Sequence, residues 1–391
     1  MSNAVMGTYQ RLPVAFESGS GAWLYDREGN QYLDALGGVA VCALGHAHPT
    51  VAQALIEQAG KLIHTSNLYE IPLQEQLADE LCALSGFNKV FFNNSGAEAN
   101  ETAIKICRKY AHENGIEDPV IVVMNGSFHG RTLATLTATG NNKHKSGFSP
   151  LPEGFHHIPY NDIPALEALQ ETSLNIVAVM LEPVQGEGGV VVPDEGFLER
   201  VGALCLQNDW LMVVDEVQTG MCRTGKWFAF QHEKVRPDIM TLAKSLANGI
   251  PIGACLASDK ACAAMVPGTH GSTFGGNPLA AQAALAVIKV MKENKLDQRA
   301  AELGKKMLEQ LRQNLQDVAG VVDVRGKGLM LGIELDKDCG ELVSLALEQR
   351  LLINVTAGNV VRLLPPLIIT DTEADQIVTM VSALIKDWLS R

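Results

Sequence analysis

Six short, mostly apolar runs punctuate the middle of this chain and constrain its fold more than any other feature: VFF at 90–92, VIVVM at 120–124, IVAVML at 176–181, LMVVD at 211–215, DIMTLA at 238–243 and IGACLA at 252–257. Apolar strands without polar alternation belong to sheets covered on both faces. The segments between them have helical character, and strands alternating with helices imply a wound α/β architecture with a largely parallel sheet. With 391 residues the chain can bury a large core and divide into two or three domains. Ligands of such sheets bind beyond the C-terminal ends of the strands, so the residues that close each run are the first candidates for chemistry.

Two of those candidates lie between Leu211 and Pro251. Asp215 closes the run LMVVD together with Glu216, and Lys244 stands among apolar and small neighbours in TLAKSLANGIP. Desolvation lowers the pKa of an ammonium and frees an amine for carbonyl chemistry. A carboxylate beside a pyridinium nitrogen keeps that nitrogen protonated, so aspartate and lysine together match what pyridoxal phosphate requires of a protein. Each residue also has a plainer reading. An Asp-Glu pair after an apolar strand suits a solvated strand end or a metal ligand, and a lysine is ordinarily a surface residue.

Other strand ends add polar groups. After KVFF comes Asn93-Asn94-Ser95-Gly96-Ala97-Glu98, opening a helix that runs to about His112. Free backbone N–H groups at a helix start, with a serine and a close-approach glycine, suit a phosphate, and the same residues suit an ordinary cap. No nucleotide P-loop or dinucleotide fingerprint is present. The run VIVVM ends at GSFHGRT, where Phe128, His129 and Arg131 share a glycine-flanked loop. An aromatic face can stack on a flat ring, and a guanidinium can hold a carboxylate in two-pronged fashion. The run IVAVML ends at Glu182, Gln185 and Glu187.

Upstream, 16–41 reads as a β-hairpin turning at Asp26–Asn30 and followed by a loop, and 51–63 as a helix capped by Thr50. His46 and His48 form a loop feature before Pro49 rather than a metal pair, because no third ligand is nearby. Downstream, helices are expected over about 195–208 and 279–292. Beyond the second the pattern changes to charged helices flanking short alternating strands, as in a small α+β domain. The expected division is an N-terminal segment over 1–58 that packs with the small domain, a large cofactor-binding domain over 59–283 and a small domain over 284–391.

A net charge of −13, from 31 basic and 44 acidic residues with no basic block, argues against nucleic acid and anionic membrane surfaces as partners. Eight cysteines without a Cys-x-x-Cys pair read as reduced core thiols. The opening MSNAVMGTYQ has no charged leader, and no run is long enough to span a membrane, so a cytoplasmic protein is expected.

The motifs NNSGAEANETAIK, GSFHGRT, EPVQGEGG, DEVQTGMCRTG, PDIMTLAKSLANGIPIGA, STFGGNP and VRLLPP, in this order, resemble those of the class III (ω-amino acid) aminotransferases. The resemblance covers nearly the whole chain. It implies the aspartate-aminotransferase fold, type I among pyridoxal-phosphate enzymes, with a large domain, a mainly parallel sheet and a small α+β domain. Carried over, it makes Lys244 the amine that bonds the cofactor and then shuttles a proton, and Asp215 the partner of the ring nitrogen. Phe128 and Val217 would flank the ring, Gln218 would lie near its phenolic oxygen, and Ser95, Gly96 and Ala97 would hold the phosphate. Thr273 would reach that phosphate from the other subunit of a homodimer with shared active sites.

The same resemblance makes Arg131 the clamp for the α-carboxylate of the acylated donor and for the side-chain carboxylate of glutamate. Arg362 would bind the α-carboxylate of glutamate or 2-oxoglutarate, Glu187 would neutralise it when the ω-amino substrate is bound, and Ser272 would join the substrate set. No metal is implied. The run GGVAV at 37–41, the VRLLPPLIIT ending and the lack of an N-terminal extension point to the branch that moves the amino group of N2-acetyl-L-ornithine to 2-oxoglutarate, a ping-pong reaction of arginine biosynthesis. Succinylornithine, N-succinyl-diaminopimelate, ornithine and 4-aminobutyrate remain open as donors, as does a mutase that uses the same cofactor.

Overall fold

A computed structural model describes residues 4–391. The chain opens with an antiparallel meander, β1 (Phe16–Ser20), β2 (Trp23–Asp26) and β3 (Gln31–Asp34). Its turn is made by Asp26, whose Oδ1 accepts hydrogen bonds from the backbone N–H groups of Glu28 and Asn30, and by Gly29 at φ +80°.

Seven strands form the central sheet: β4 (Lys89–Asn93), β5 (Val120–Met124), β6 (Phe155–Ile158), β7 (Ile176–Leu181), β8 (Leu211–Asp215), β9 (Ile239–Leu242) and β10 (Gly253–Ala257), in the spatial order β4-β10-β9-β8-β7-β5-β6. Every residue of β7 and of β8 is buried, which is why these runs carry no polar alternation. All neighbouring pairs are parallel except those of β10, which runs against both β9 and β4. The apolar runs therefore mark six of the seven strands. The seventh, β6, reads FHHI and is only partly buried over its first three residues, so it has no apolar run to announce it.

Beyond the buried helix Pro278–Glu293, a second antiparallel sheet joins β11 (Val321–Lys327), β12 (Met330–Leu335), β15 (Val360–Leu363) and β14 (Asn354–Thr356), in that order. The helices Leu296–Leu315 and Asp371–Leu389 bury their apolar faces with it in a core continuous with that of the central sheet. A short strand, β13 (Leu351–Leu352), pairs in parallel with β3. Trp23 Nε1 donates to Glu373 Oε1 at 2.7 Å, so the N-terminal meander is held to the C-terminal part by both sheet pairing and a side chain.

One expectation needs correction. The helix after Pro49 spans Pro49–Ala59, with His48 at its N-cap and proline in its first turn, so Thr50 is inside it and is not the cap; Gly60 ends it before Lys61-Leu62-Ile63. His46 lies in the segment before that helix, with its Nε2 2.7 Å from Asp34 Oδ2. No helix among the described residues is long and apolar enough to cross a membrane. All eight cysteines are unpaired, and five of them are buried.

Candidate active site

The C-terminal ends of β4, β5, β7, β8 and β9 converge on one cavity of about 390 Å³. Asp215 lies in its floor, 3% exposed, and is held as an acceptor from several directions. Asn100 Nδ2 donates to Asp215 Oδ2 at 2.7 Å, His129 Nδ1 lies 2.8 Å from the same oxygen, and the Val217 backbone N–H donates to Oδ1 at 3.0 Å. Thr241 Oγ1 donates to Asn100 Oδ1 at 2.7 Å and fixes the orientation of that amide. The carboxylate is thus fixed in orientation by the Asn100 amide, the Val217 backbone N–H and the His129 imidazole. Glu216, next in sequence, does not share this role. It accepts from Thr219 Oγ1 and from the Phe230 backbone N–H, and burial pushes its carboxyl up to about 7.

Lys244 follows β9 at φ +37°, a left-handed conformation that a non-glycine residue adopts only against a steric cost. The turn is held by its neighbours: Ser245 Oγ donates to the Ala40 carbonyl at 2.7 Å, and the Asn248 side chain bonds the Leu44 N–H and the Gly45 carbonyl. Lys244 lines the cavity, and burial lowers the pKa of its ammonium, opposed by the carboxylate of Glu187 and assisted by Arg362. No hydrogen bond or ion pair occupies its amine among the described residues.

The helix Gly96–Glu113 starts at the cavity wall. Ser95 is its N-cap and accepts from the Glu98 N–H at 3.2 Å, while Glu98 Oε2 accepts from the Asn94 N–H at 2.6 Å. The capped turn leaves Gly96 and Ala97 lining the cavity with the first-turn amides of the helix. A Cβ on Gly96 would come within 2.8 Å of Val217 Cγ1, so the glycine lets helix and strand end close around the site.

Phe128 and Val217 both line the cavity, from β5 and β8 respectively. The Arg131 guanidinium lies 5.4 Å from the centre of the Phe128 ring, is exposed, and has no ion-pair partner among the described residues. Arg362 on β15 is its opposite in every respect. Its side chain is 1% exposed, Nη1 donates to Glu187 Oε1 at 2.6 Å and to Gln218 Oε1 at 3.2 Å, and Nε and Nη2 both donate to Asn354 Oδ1. Burial would raise the Glu187 carboxyl, but the charge and hydrogen bond of Arg362, with help from Lys244 and Gln218, hold it below its ordinary value.

Eleven of the thirteen residues expected at the site therefore lie at or against this cavity. Ser272 and Thr273 do not line it. Thr273 is exposed, and Ser272 Oγ instead accepts from Asn94 Nδ2 at 3.2 Å and from the Gly275 N–H at 3.1 Å. Sequence reasoning missed Asn100, Thr241 and Asn354 and gave His129 no role. Asn100, Thr241 and His129 act on residues distant in the chain, and Asn354 acts across a strand pair on Arg362; no local spacing signals these contacts.

The donor set fits pyridoxal phosphate. Free amides at a helix start suit a phosphate, a buried carboxylate with fixed donors suits a pyridinium, the apolar side chains of Phe128 and Val217 line the same space, and the Lys244 amine, unpartnered among the described residues, lines it too. Comparison with known proteins decides the family: the description "Aminotransferase class-III" matches residues 5–385. The chain belongs to the class-III aminotransferases. This aminotransferase is 55% identical over 385 residues to the acetylornithine aminotransferase of Nitrosomonas europaea, covering 98% of each. It superposes with a TM-score of 0.94 and 37% identity on a Toxoplasma gondii ornithine aminotransferase, over 99% of this chain and 94% of that one; that structure shows partial occupancy of pyridoxal phosphate at its active site. An acetylornithine aminotransferase from Elizabethkingia anophelis gives a TM-score of 0.87 at 38% identity, over 98% of this chain and 96% of that one.

Proposed function

We propose that this aminotransferase is pyridoxal-phosphate dependent and moves the ω-amino group of N2-acetyl-L-ornithine to 2-oxoglutarate, giving N-acetyl-L-glutamate 5-semialdehyde and L-glutamate. The single observation that carries the substrate class is the asymmetry of the two arginines. Arg131 presents an unpaired cation at the cavity, whereas Arg362 is already neutralised by Glu187. A donor with one carboxylate needs only Arg131, and a dicarboxylate acceptor needs both arginines. A second cation left unpaired beside a monocarboxylate would be costly, and Glu187 removes that cost.

When bound, pyridoxal phosphate supplies the aldehyde that takes up the amino group and an electron-withdrawing ring that makes the neighbouring carbon acidic. The chain's own groups do the rest. Asp215, oriented by Asn100 and His129, holds a proton on the ring nitrogen. Ser95, Gly96 and Ala97 bind the phosphate. Lys244, with its pKa lowered by burial, would take the proton from the amino-bearing carbon of the substrate and deliver it to the cofactor carbon that receives the amino group. Phe128 and Val217 keep water from the faces of the ring, and Gln218 stands beside the paired Arg362.

The exposed Thr273 is read as closing the phosphate site of a second copy, which makes the active unit a homodimer, and Ser272 as belonging to the substrate set at that shared boundary. We place the enzyme in the cytoplasm. The test is kcat/KM with 2-oxoglutarate for N-acetylornithine, N-succinylornithine, ornithine and 4-aminobutyrate. A clear preference for N-acetylornithine is expected, and a preference for a free ω-amino acid would overturn the assignment.

A further inference from the structure

Glu182 closes β7, is 5% exposed and lines the cavity. Its two carboxylate oxygens serve different loops. Oε1 accepts from the Phe128 backbone N–H at 2.9 Å, and Oε2 accepts from the Gly186 backbone N–H at 3.1 Å. Phe128 forms one wall of the cavity, and Gly186 immediately precedes Glu187, the partner of Arg362. The Gly186–Glu187 segment also has close neighbours of its own. A Cβ on Gly186 would lie 2.1 Å from Gln218 Oε1, and Thr356 Oγ1 donates to the Glu187 carbonyl at 2.6 Å. From behind, Tyr160 Oη donates to the carbonyls of Glu182 and Pro183 at 3.0 Å each.

We infer that Glu182 is a positioning residue that sets the separation of the Phe128 wall from the Glu187 loop, and thereby how firmly Glu187 covers Arg362. The inference rests on the transaminase reading above and deepens it, since it assigns to a side chain that touches neither arginine a part in choosing between mono- and dicarboxylate substrates. The titratable groups around Glu182 are His129, Asp215 and Lys244, with the Tyr160 hydroxyl beyond. Burial, with Asp215, pushes the Glu182 carboxyl up to about 7, against the pull of His129 and of the two amide donors.

Glu182→Gln offers one acceptor oxygen and one NH2 group to two facing N–H donors, so one of the two contacts is lost. Glu182→Asp keeps the charge but is one methylene too short to span both. The readout is the dissociation constant of glutarate, a dicarboxylate that cannot react, measured by calorimetry on the holoenzyme alongside its visible absorbance. With the Glu187 loop loosened, Arg362 is freed and glutarate should bind about threefold or more tightly in both variants, while the absorbance stays that of the loaded enzyme. In separate half-reactions the acetylornithine half should fall about tenfold more than the glutamate half. Unchanged or weaker glutarate binding, which a merely damaged site would give, overturns the inference, as do equal losses in both halves. A wild-type enzyme that transaminates no donor would instead overturn the functional reading itself, and this inference with it.

Discussion

Arg362 Nη1 donates to Glu187 Oε1 at 2.6 Å, yet the two side chains differ sharply in exposure, 1% against 34%. The guanidinium is buried on β15 and held by Asn354, while the carboxylate belongs to a loop that lines the cavity. One partner is fixed and the other can leave. A dicarboxylate that displaces Glu187 exchanges one anion for another at Arg362, which is the property the proposed gate requires.

Glu187→Ala should therefore act unequally on the two halves of the reaction. The acetylornithine half-reaction is expected to fall by about tenfold more than the glutamate half, the equivalent of about 1.4 kcal/mol of differential barrier. Single-turnover rates for each half measure this, and equal losses would count against the gate.

Asp215→Asn removes the charge that would keep a ring nitrogen protonated but leaves an isostere within reach of Asn100, His129 and the Val217 N–H. A fall in kcat on the order of a thousandfold is expected with cofactor still bound, comparable to the loss of an oriented electrostatic group in other active sites. Full activity in this variant would remove Asp215 from the site.

His46 pairs with Asp34 at 2.7 Å, and that hydrogen bond, with a further one to Cys42, raises its pKa to about 9 from an ordinary 6.5. A histidine whose folded-state pKa lies above its unfolded value stabilises the fold fully below pH 6.5 and loses that contribution as pH climbs through about 9. The contribution is about 3 kcal/mol at most. Urea unfolding between pH 6 and pH 10 should show this decline in the wild type and a flatter profile in His46→Asn. Parallel profiles would contradict it.

Arg223 is fully buried, with Nη1 donating to the carbonyls of Leu329 and Pro365 and with Nε and Nη2 unpartnered among the described residues. It joins the loop after Asp215 to the turn between β11 and β12 and to the segment after Arg362. Replacing it by methionine removes a desolvated charge while filling the space, whereas alanine also leaves a cavity. Chemical denaturation should find Arg223→Ala less stable than Arg223→Met by about 2 kcal/mol or more.

Much of this was legible in the sequence because six of the seven central strands announced themselves by an apolar run and several site residues stood just past the end of one. Asp215, Phe128, Glu187 and Ser95 all follow that rule, and Lys244 lies just past β9. What escaped was set by contacts across strand pairs and between distant parts of the chain. The polarity of β10 depends on which edge it pairs with, and β6 has too little burial to leave a pattern. Asn100 lies on a helix face that reads like any other polar helix position, and its value comes from Asp215, 115 residues away. Asn354 likewise has meaning only beside Arg362, across a strand pair.

The central claim is that Lys244 is the amine that holds the cofactor in this cavity. Reduction of the loaded enzyme with borohydride, followed by peptide mapping, tests it directly. The account predicts one phosphopyridoxyl group per chain, on the peptide containing Lys244, and none in Lys244→Ala. A label on another lysine, or a protein that takes up no pyridoxal phosphate, would contradict it.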